Sequence, residues 1–81
     1  MAETVEERVI EIVADMSIQD KSKIIRRVKL EELNMDSLES TELEMELEEE
    51  FEIKIPQEET FNPQTTVGQI VDLVEGLVHR V

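Results

Sequence analysis

The sequence predicts an all-α fold, a small four-helix bundle of three main helices and one short helix, with a long loop between the first and second helices. Three observations carry that expectation. Apolar residues recur at intervals of three and four in three separate segments. Each segment opens on Thr or Asp with Glu or Gln three positions on, the spacing of a capping box in which side chains and backbone exchange hydrogen bonds. No run shows the alternation of a half-buried strand. At 81 residues, the chain is expected to be one domain over 1–81, near the lower limit for a self-sufficient core.

In the first helix Thr4 caps and Glu7 reaches back, while Val5, Val9, Ile12, Val13 and Met16 make one apolar face. Residues 17–35 are weaker in pattern and hold Lys21, Lys23, Arg26, Arg27 and Lys29, five of the eight basic residues. They read as the long loop, pinned by Ile24, Ile25, Val28, Leu30 and Leu33, with its cations packed electrostatically against the acidic helices. So long a loop in a small domain usually has a function.

The second helix is expected from Asp36 to about residue 50, with Leu43, Leu47 and Phe51 facing the core and Leu38 and Met45 on a flanking or partner-facing stripe. As methionines, Met35 and Met45 also read simply as packing residues. Between residues 36 and 52 stand nine carboxylates and no cation, which predicts a negative outer face with little pairing of its own. Pro56 and Pro63 interrupt regular hydrogen bonding on either side of a short helical turn, placed at 57–61. Thr66 and Gln69 then frame a final helix with Val67, Ile70, Val71, Val74, Leu77 and Val78 on its apolar face, and exposed His79 at its C-terminal end.

Composition excludes several chemistries. There is no cysteine, hence no disulfide, thiolate nucleophile or cysteine metal site. The single histidine leaves no Ser-His-Asp arrangement, and the acidic run lacks the spacing of a calcium loop, so no metal site is expected. A net charge of -13 repels phosphate backbones and anionic lipid and favours basic protein patches, which argues against nucleic acid and stable membrane insertion. No apolar run approaches the roughly 20 residues that span a bilayer, and Met1-Ala2-Glu3-Thr4 does not read as a signal peptide. A cytoplasmic monomer is expected. With aromatics at 2%, all of it Phe51 and Phe61, the core must be aliphatic.

The residues that attract chemistry are Asp36-Ser37-Leu38, where loop becomes helix. A helix N-terminus offers unpaired backbone N–H groups and the positive end of the helix dipole, so a phosphate attached to Ser37 would be well placed. The dipole contributes only about 0.3–1 kcal/mol at an exposed site. Asp36 is expected to cap the helix and turn the Ser37 hydroxyl outward.

The run Leu33-Asn34-Met35-Asp36-Ser37-Leu38-Glu39, followed by Glu42-Leu43, Met45, Leu47-Glu48-Glu49-Glu50-Phe51 and Ile55-Pro56, resembles the acyl carrier protein family over its defining half. The resemblance implies 4'-phosphopantetheine carried on Ser37, with Asp36 and Leu38 beside it. A phosphopantetheinyl transferase, normally using magnesium, would install it from coenzyme A by attack of the serine hydroxyl on a phosphate. It implies a non-catalytic carrier whose acidic helix docks acyl-transferring or condensing enzymes through their basic patches. Here the docking candidates are Glu39, Glu42, Glu46 and Glu49, with Glu44 less certain and Leu38 and Met45 as apolar contacts. Leu43, Leu47, Phe61, Ile70 and Val74 would part to sheath an acyl chain. Many family members carry Gly-Ala in place of Asn34-Met35, and apolar residues near Thr41, Glu44 and Glu46, so an atypical partner surface is expected.

The cargo is read as fatty acyl or a related lipid chain, against polyketide or aminoacyl units. A reading from a different class is an unmodified acidic protein-interaction module using the same helix. Taken without its surroundings, Ser37 is an ordinary helix-initial serine, and the acidic run an ordinary solvated face.

Overall fold

A computed structural model describes residues 3–79; Met1 and Ala2, part of the stretch read above for a signal peptide, lie outside the described residues. Three α-helices carry the fold: α1 over Val5–Ser17, α2 over Ser37–Phe51 and α3 over Val67–Val78. Single 3-10 turns occupy Lys21–Lys23, Leu30–Leu33 and Gln57–Glu59, and among the described residues there is no strand, only an isolated antiparallel bridge between Lys29 and Thr66. The expected short helix is the last of those turns, three residues long. Pro56 precedes it, and the chain leaves it extended at Thr60.

Each α-helix starts where its capping box places it. The Glu7 N–H donates to Thr4 Oγ1 at 3.1 Å and the Thr4 N–H to Glu7 Oε1 at 2.9 Å; Thr66 and Gln69 repeat the exchange at 3.1 and 2.9 Å. Each box satisfies N–H groups that a helix start otherwise leaves without partners.

α1 packs against both α2 and α3. The core between them is built from Val9, Ile12 and Val13 of α1, Leu43 and Leu47 of α2, and Val67, Ile70, Val71 and Val74 of α3. Ile24, Leu30, Leu33 and Met35 enter it from the 17–35 segment, and Ile55 and Phe61 from the connection before α3. Phe51 is half-buried against this core.

Several expectations need correction. Ile25 does not pin the loop: it is 44% exposed, and Ile24, Leu30 and Leu33 hold the segment instead. Met45 is 59% exposed and stands outside the core, whereas Met35 is 1% exposed and is a core residue. Val78 sits at the exposed edge of the α3 face. The loop is also less irregular than its sequence suggested, since it contains two 3-10 turns.

The loop is bound to the segment leading into α3. The Leu30 N–H donates to the Thr65 carbonyl, Glu31 to Pro63, Val67 to Val28 and Gly68 to Arg26, at 2.7–3.0 Å. A Cβ on Gly68 would lie 3.0 Å from the Arg26 carbonyl oxygen, a tighter contact than most side chains make, which favours glycine here.

Candidate functional site

Asp36 is the N-cap of α2, with extended backbone, and its Oδ1 accepts the Glu39 N–H at 2.9 Å. The Glu39 carboxylate in turn accepts the Asp36 N–H at 3.4 Å, closing the box. The Asp36 carbonyl accepts from the Ser40 N–H at 2.9 Å and the Ser40 hydroxyl at 2.8 Å, which satisfies that buried polar side chain. The first turn is therefore fixed on both sides of Ser37.

Immediately before it, Asn34 is left-handed (φ 61°, ψ 29°) and ends the Leu30–Leu33 turn. Glycine adopts that conformation freely and asparagine is among the few other residues that do so routinely, which explains how Asn stands here. Met35 then plunges into the core while its N–H donates to the Leu30 carbonyl at 3.1 Å.

Ser37 is the first residue of α2 and is exposed. Its carbonyl accepts from the Thr41 hydroxyl at 3.0 Å, but among the described residues its own hydroxyl makes no hydrogen bond. Its hydroxyl therefore stands exposed at the positive end of the helix dipole, on a first turn closed by the Asp36–Glu39 capping box. Leu38 follows at 68% exposure.

The nine carboxylates divide by where the helix turns them. Leu38, Glu42, Met45 and Glu49 share the outer ridge at helical spacing and are all exposed. Glu39 is half-buried and engaged in the cap. Glu46 lies to one side of the ridge and lines a surface hollow of about 260 Å³ with Arg8, Ile12, Asp15, Met16 and Glu50.

Three others face the protein itself. Glu44 Oε1 accepts from the Thr60 hydroxyl at 2.7 Å and the Phe61 N–H at 2.9 Å, and Glu48 Oε2 accepts from the Ile55 N–H at 2.8 Å. Glu50 meets the Arg8 guanidinium at 3.0 Å. The hydrogen bonds from Arg8 hold the Glu50 carboxyl below its ordinary range and, in reverse, push Arg8 upward. The helix thus does not lack pairing of its own, and Glu44 is a tether for the connection before α3. No local signal distinguishes these three from their neighbours, because their partners lie far away in sequence.

The expected packing of basic residues against acidic helices holds for two of them. Lys21 reaches Glu11 of α1 at 3.5 Å, and Arg26 bridges Glu6 of α1 at 3.1 Å and Asp72 of α3 at 2.6 Å. These pairs lie on α1 and α3, not α2. Among the described residues there is no cluster of His, Cys, Asp or Glu able to hold a metal ion, and no helix long and apolar enough to cross a membrane.

Comparison with known proteins bears on this arrangement. The sequence pattern of the family described as "Phosphopantetheine attachment site" matches residues 7–74. The acyl carrier protein of Thermosynechococcus vestitus (strain NIES-2133 / IAM M-273 / BP-1) is 42% identical over 73 residues, which cover 89% of this chain and 89% of that relative.

Proposed function

The chain belongs to the acyl carrier protein family, and from that premise we propose that Ser37 is the residue through which it carries its cargo. The protein is an acyl carrier whose cofactor is 4'-phosphopantetheine. When bound, that group supplies what the sequence lacks, a thiol on which acyl groups ride as thioesters.

The observation that carries the assignment is an exposed, unengaged hydroxyl at the first position of a capped helix. Such a site suits a phosphodiester. Backbone N–H groups at a helix start have no intrahelical acceptor, and the dipole there favours a negative charge. In loading, the Ser37 oxygen would form a bond to the phosphorus on the pantetheine side of the coenzyme A pyrophosphate, the bond from that phosphorus to the bridging oxygen would break, adenosine 3',5'-bisphosphate would leave, and the hydroxyl proton would pass to the transferase. Asp36 holds the turn so that the hydroxyl stays outward during this exchange.

The expected result with coenzyme A and a phosphopantetheinyl transferase is one phosphopantetheine increment in intact mass, mapped to the peptide containing Ser37. Ser37→Ala should fold normally, with a stability change within about 0.5 kcal/mol, and gain nothing. A wild type that stays bare with several competent transferases, or an alanine variant that gains the mass, rejects the assignment. The first outcome would favour the acidic interaction module, whose partner would then be unaffected by Ser37→Ala.

For docking we assign Leu38, Glu42, Met45 and Glu49, the exposed ridge leading away from Ser37, to partners with basic patches around an apolar contact. Long-range attraction speeds encounter while exposed pairs stay weak, which suits a shuttle. Glu42→Lys with Glu49→Lys should slow loading strongly at low salt and little at high salt. Equal rates at both would remove these residues from the surface.

The cargo we read as fatty acyl or a related lipid chain. Its support is the aliphatic core, to which Leu43, Leu47, Phe61, Ile70 and Val74 contribute. Loading with a panel of acyl, polyketide and amino-acid ligases, read by intact mass, separates the alternatives. The carrier is read as a cytoplasmic monomer forming a single unit over 1–81, and size-exclusion chromatography with light scattering tests the oligomeric state.

A further inference from the structure

The cations of the 17–35 segment are not used alike. Lys21 and Arg26 are paired, but Lys23, Arg27 and Lys29 are exposed and have no salt bridge among the described residues. In a chain with 21 acidic and 8 basic residues, carboxylates are plentiful, so three neighbouring unpaired cations are unexpected.

Their placement is regular. Ile24 and Leu30 are buried, Val28 is half-buried and Arg26 is spent on Glu6 and Asp72; the residues between them, Lys23, Ile25, Arg27 and Lys29, all face solvent. Three unpaired cations are thus exposed along this segment together with Ile25, which is 44% exposed.

Backbone bonds from Arg26, Val28, Leu30 and Glu31 tie residues 26–31 to residues 63–68. The Leu30 carbonyl accepts the Met35 N–H, so the cations end one hydrogen-bonded turn before the helix that Ser37 begins. Between these cations and Ser37 the chain carries the exposed carboxylates of Glu31, Glu32 and Asp36, so the basic segment is set apart from the negative ridge of α2. A backbone already ordered spares a partner the cost of ordering the loop on binding.

We propose that Lys23, Arg27 and Lys29 together with Ile25 form a second docking surface, which takes an acidic patch lying beside the basic patch on the enzyme that modifies Ser37. Two contacts of opposite sign fix the rotational register of the carrier, which one negative helix cannot do alone. An extended anionic partner such as nucleic acid or membrane is disfavoured by the net charge of -13. The inference rests on Ser37 being the modified residue.

The test exploits opposite signs. If the enzyme offers only positive charge, replacing the loop cations makes the carrier more negative and speeds loading. On the present proposal loading slows. The full chain carrying Lys23→Gln, Arg27→Gln and Lys29→Gln is compared with wild type for kcat/KM with a phosphopantetheinyl transferase and coenzyme A at low salt. A fall of about tenfold is expected for three exposed pairs, carried by KM, with an unchanged melting temperature.

Lys54→Gln, outside the patch, should leave the rate unchanged or raise it, and the Arg/Lys exchanges K23R, R27K and K29R should retain most of it. An unchanged or faster rate for the glutamine variant overturns the second surface while leaving Ser37 intact. Should the glutamine variant melt lower, its loading at a temperature where both proteins are fully folded decides. A wild type that is never loaded instead refutes the Ser37 reading, and this inference with it.

Discussion

Ile18 closes α1 in the left-handed region, with φ 55° and ψ 46°, and its side chain is 91% exposed. That conformation costs an L-residue about 1–2 kcal/mol, and a β-branched side chain crowds it further. No burial offsets the strain. Glycine at this position would relieve it at the expense of about 0.5–1 kcal/mol of added unfolded-state freedom. Ile18→Gly should thus stabilise the fold by about 0.5–1 kcal/mol, raising the melting temperature by roughly 4–8 °C per kcal/mol in a domain of this size. A lower melting temperature would show that the isoleucine makes contacts worth more than its strain. Asn34, also left-handed, offers no comparable gain, because asparagine tolerates this region. The same contrast shows what single residues disclosed in the sequence. The caps at Thr4, Asp36 and Thr66 were legible, since each pairs with a Glu or Gln three places on, but nothing at Ile18 marked it as a helix terminus.

At the scale of elements, α2 is the least amphipathic helix, because carboxylates occur on its flanks as well as its outer ridge. Glu44 accepts two hydrogen bonds from Thr60 and Phe61, and Phe61 is buried at 5% exposure, so one carboxylate secures the connection against the core. Hydrogen bonds to a charged group contribute about 1.5–3 kcal/mol each, less where solvent competes. Glu44→Ala should lower stability by about 1–2 kcal/mol and speed amide exchange at Phe61 more than in α1. Glu44→Gln, whose amide oxygen still accepts, should recover part of the loss. If Phe61 exchange is unchanged in the alanine variant, the tether is not what holds the connection. Helical periodicity located α1, α2 and α3 and the core residues on them. It did not separate Glu44, Glu48 and Glu50 from Glu42, Glu46 and Glu49, since that depends on which chain segments pass alongside. The loop was harder still: its inward residues are set by bonds to residues 63–68, so Ile24 and Ile25 were indistinguishable until that neighbouring segment was in place.

For the molecule as a whole, two electrostatic effects of opposite sign set its response to acid. The net charge of -13 at pH 7 makes the compact state repel itself, and that repulsion fades as protons bind toward the isoelectric point near 4.3. Against it stand carboxylates whose folded environment favours the charged form. The Thr4 N–H and hydroxyl hold Glu7 below its ordinary value, the Ser22 N–H holds Asp20 down, and Arg8 holds Glu50 down. For a depressed pKa the stabilisation is fully present above the unfolded-state value, roughly 4, and disappears as pH falls through the folded-state value. Glu3, raised by its hydrogen bond to Glu11, works the other way and is a single group. Between pH 7 and about 5 the paired carboxylates thus lose nothing while repulsion declines, so the melting temperature should rise. Below about 4 it should fall as Glu7, Asp20 and Glu50 are protonated. Salt separates the two effects. At pH 7 added sodium chloride screens repulsion over distances beyond about 10 Å at 0.1 M, and should raise the melting temperature although it weakens the exposed Arg8 and Arg26 pairs. Near pH 4.5 the same salt should do little, because the net charge it screens has almost gone. A melting temperature that falls with salt at pH 7 would mean that the few ion pairs outweigh the excess of negative charge, and that the fold is held together by Arg8 and Arg26 to a degree their exposure does not suggest.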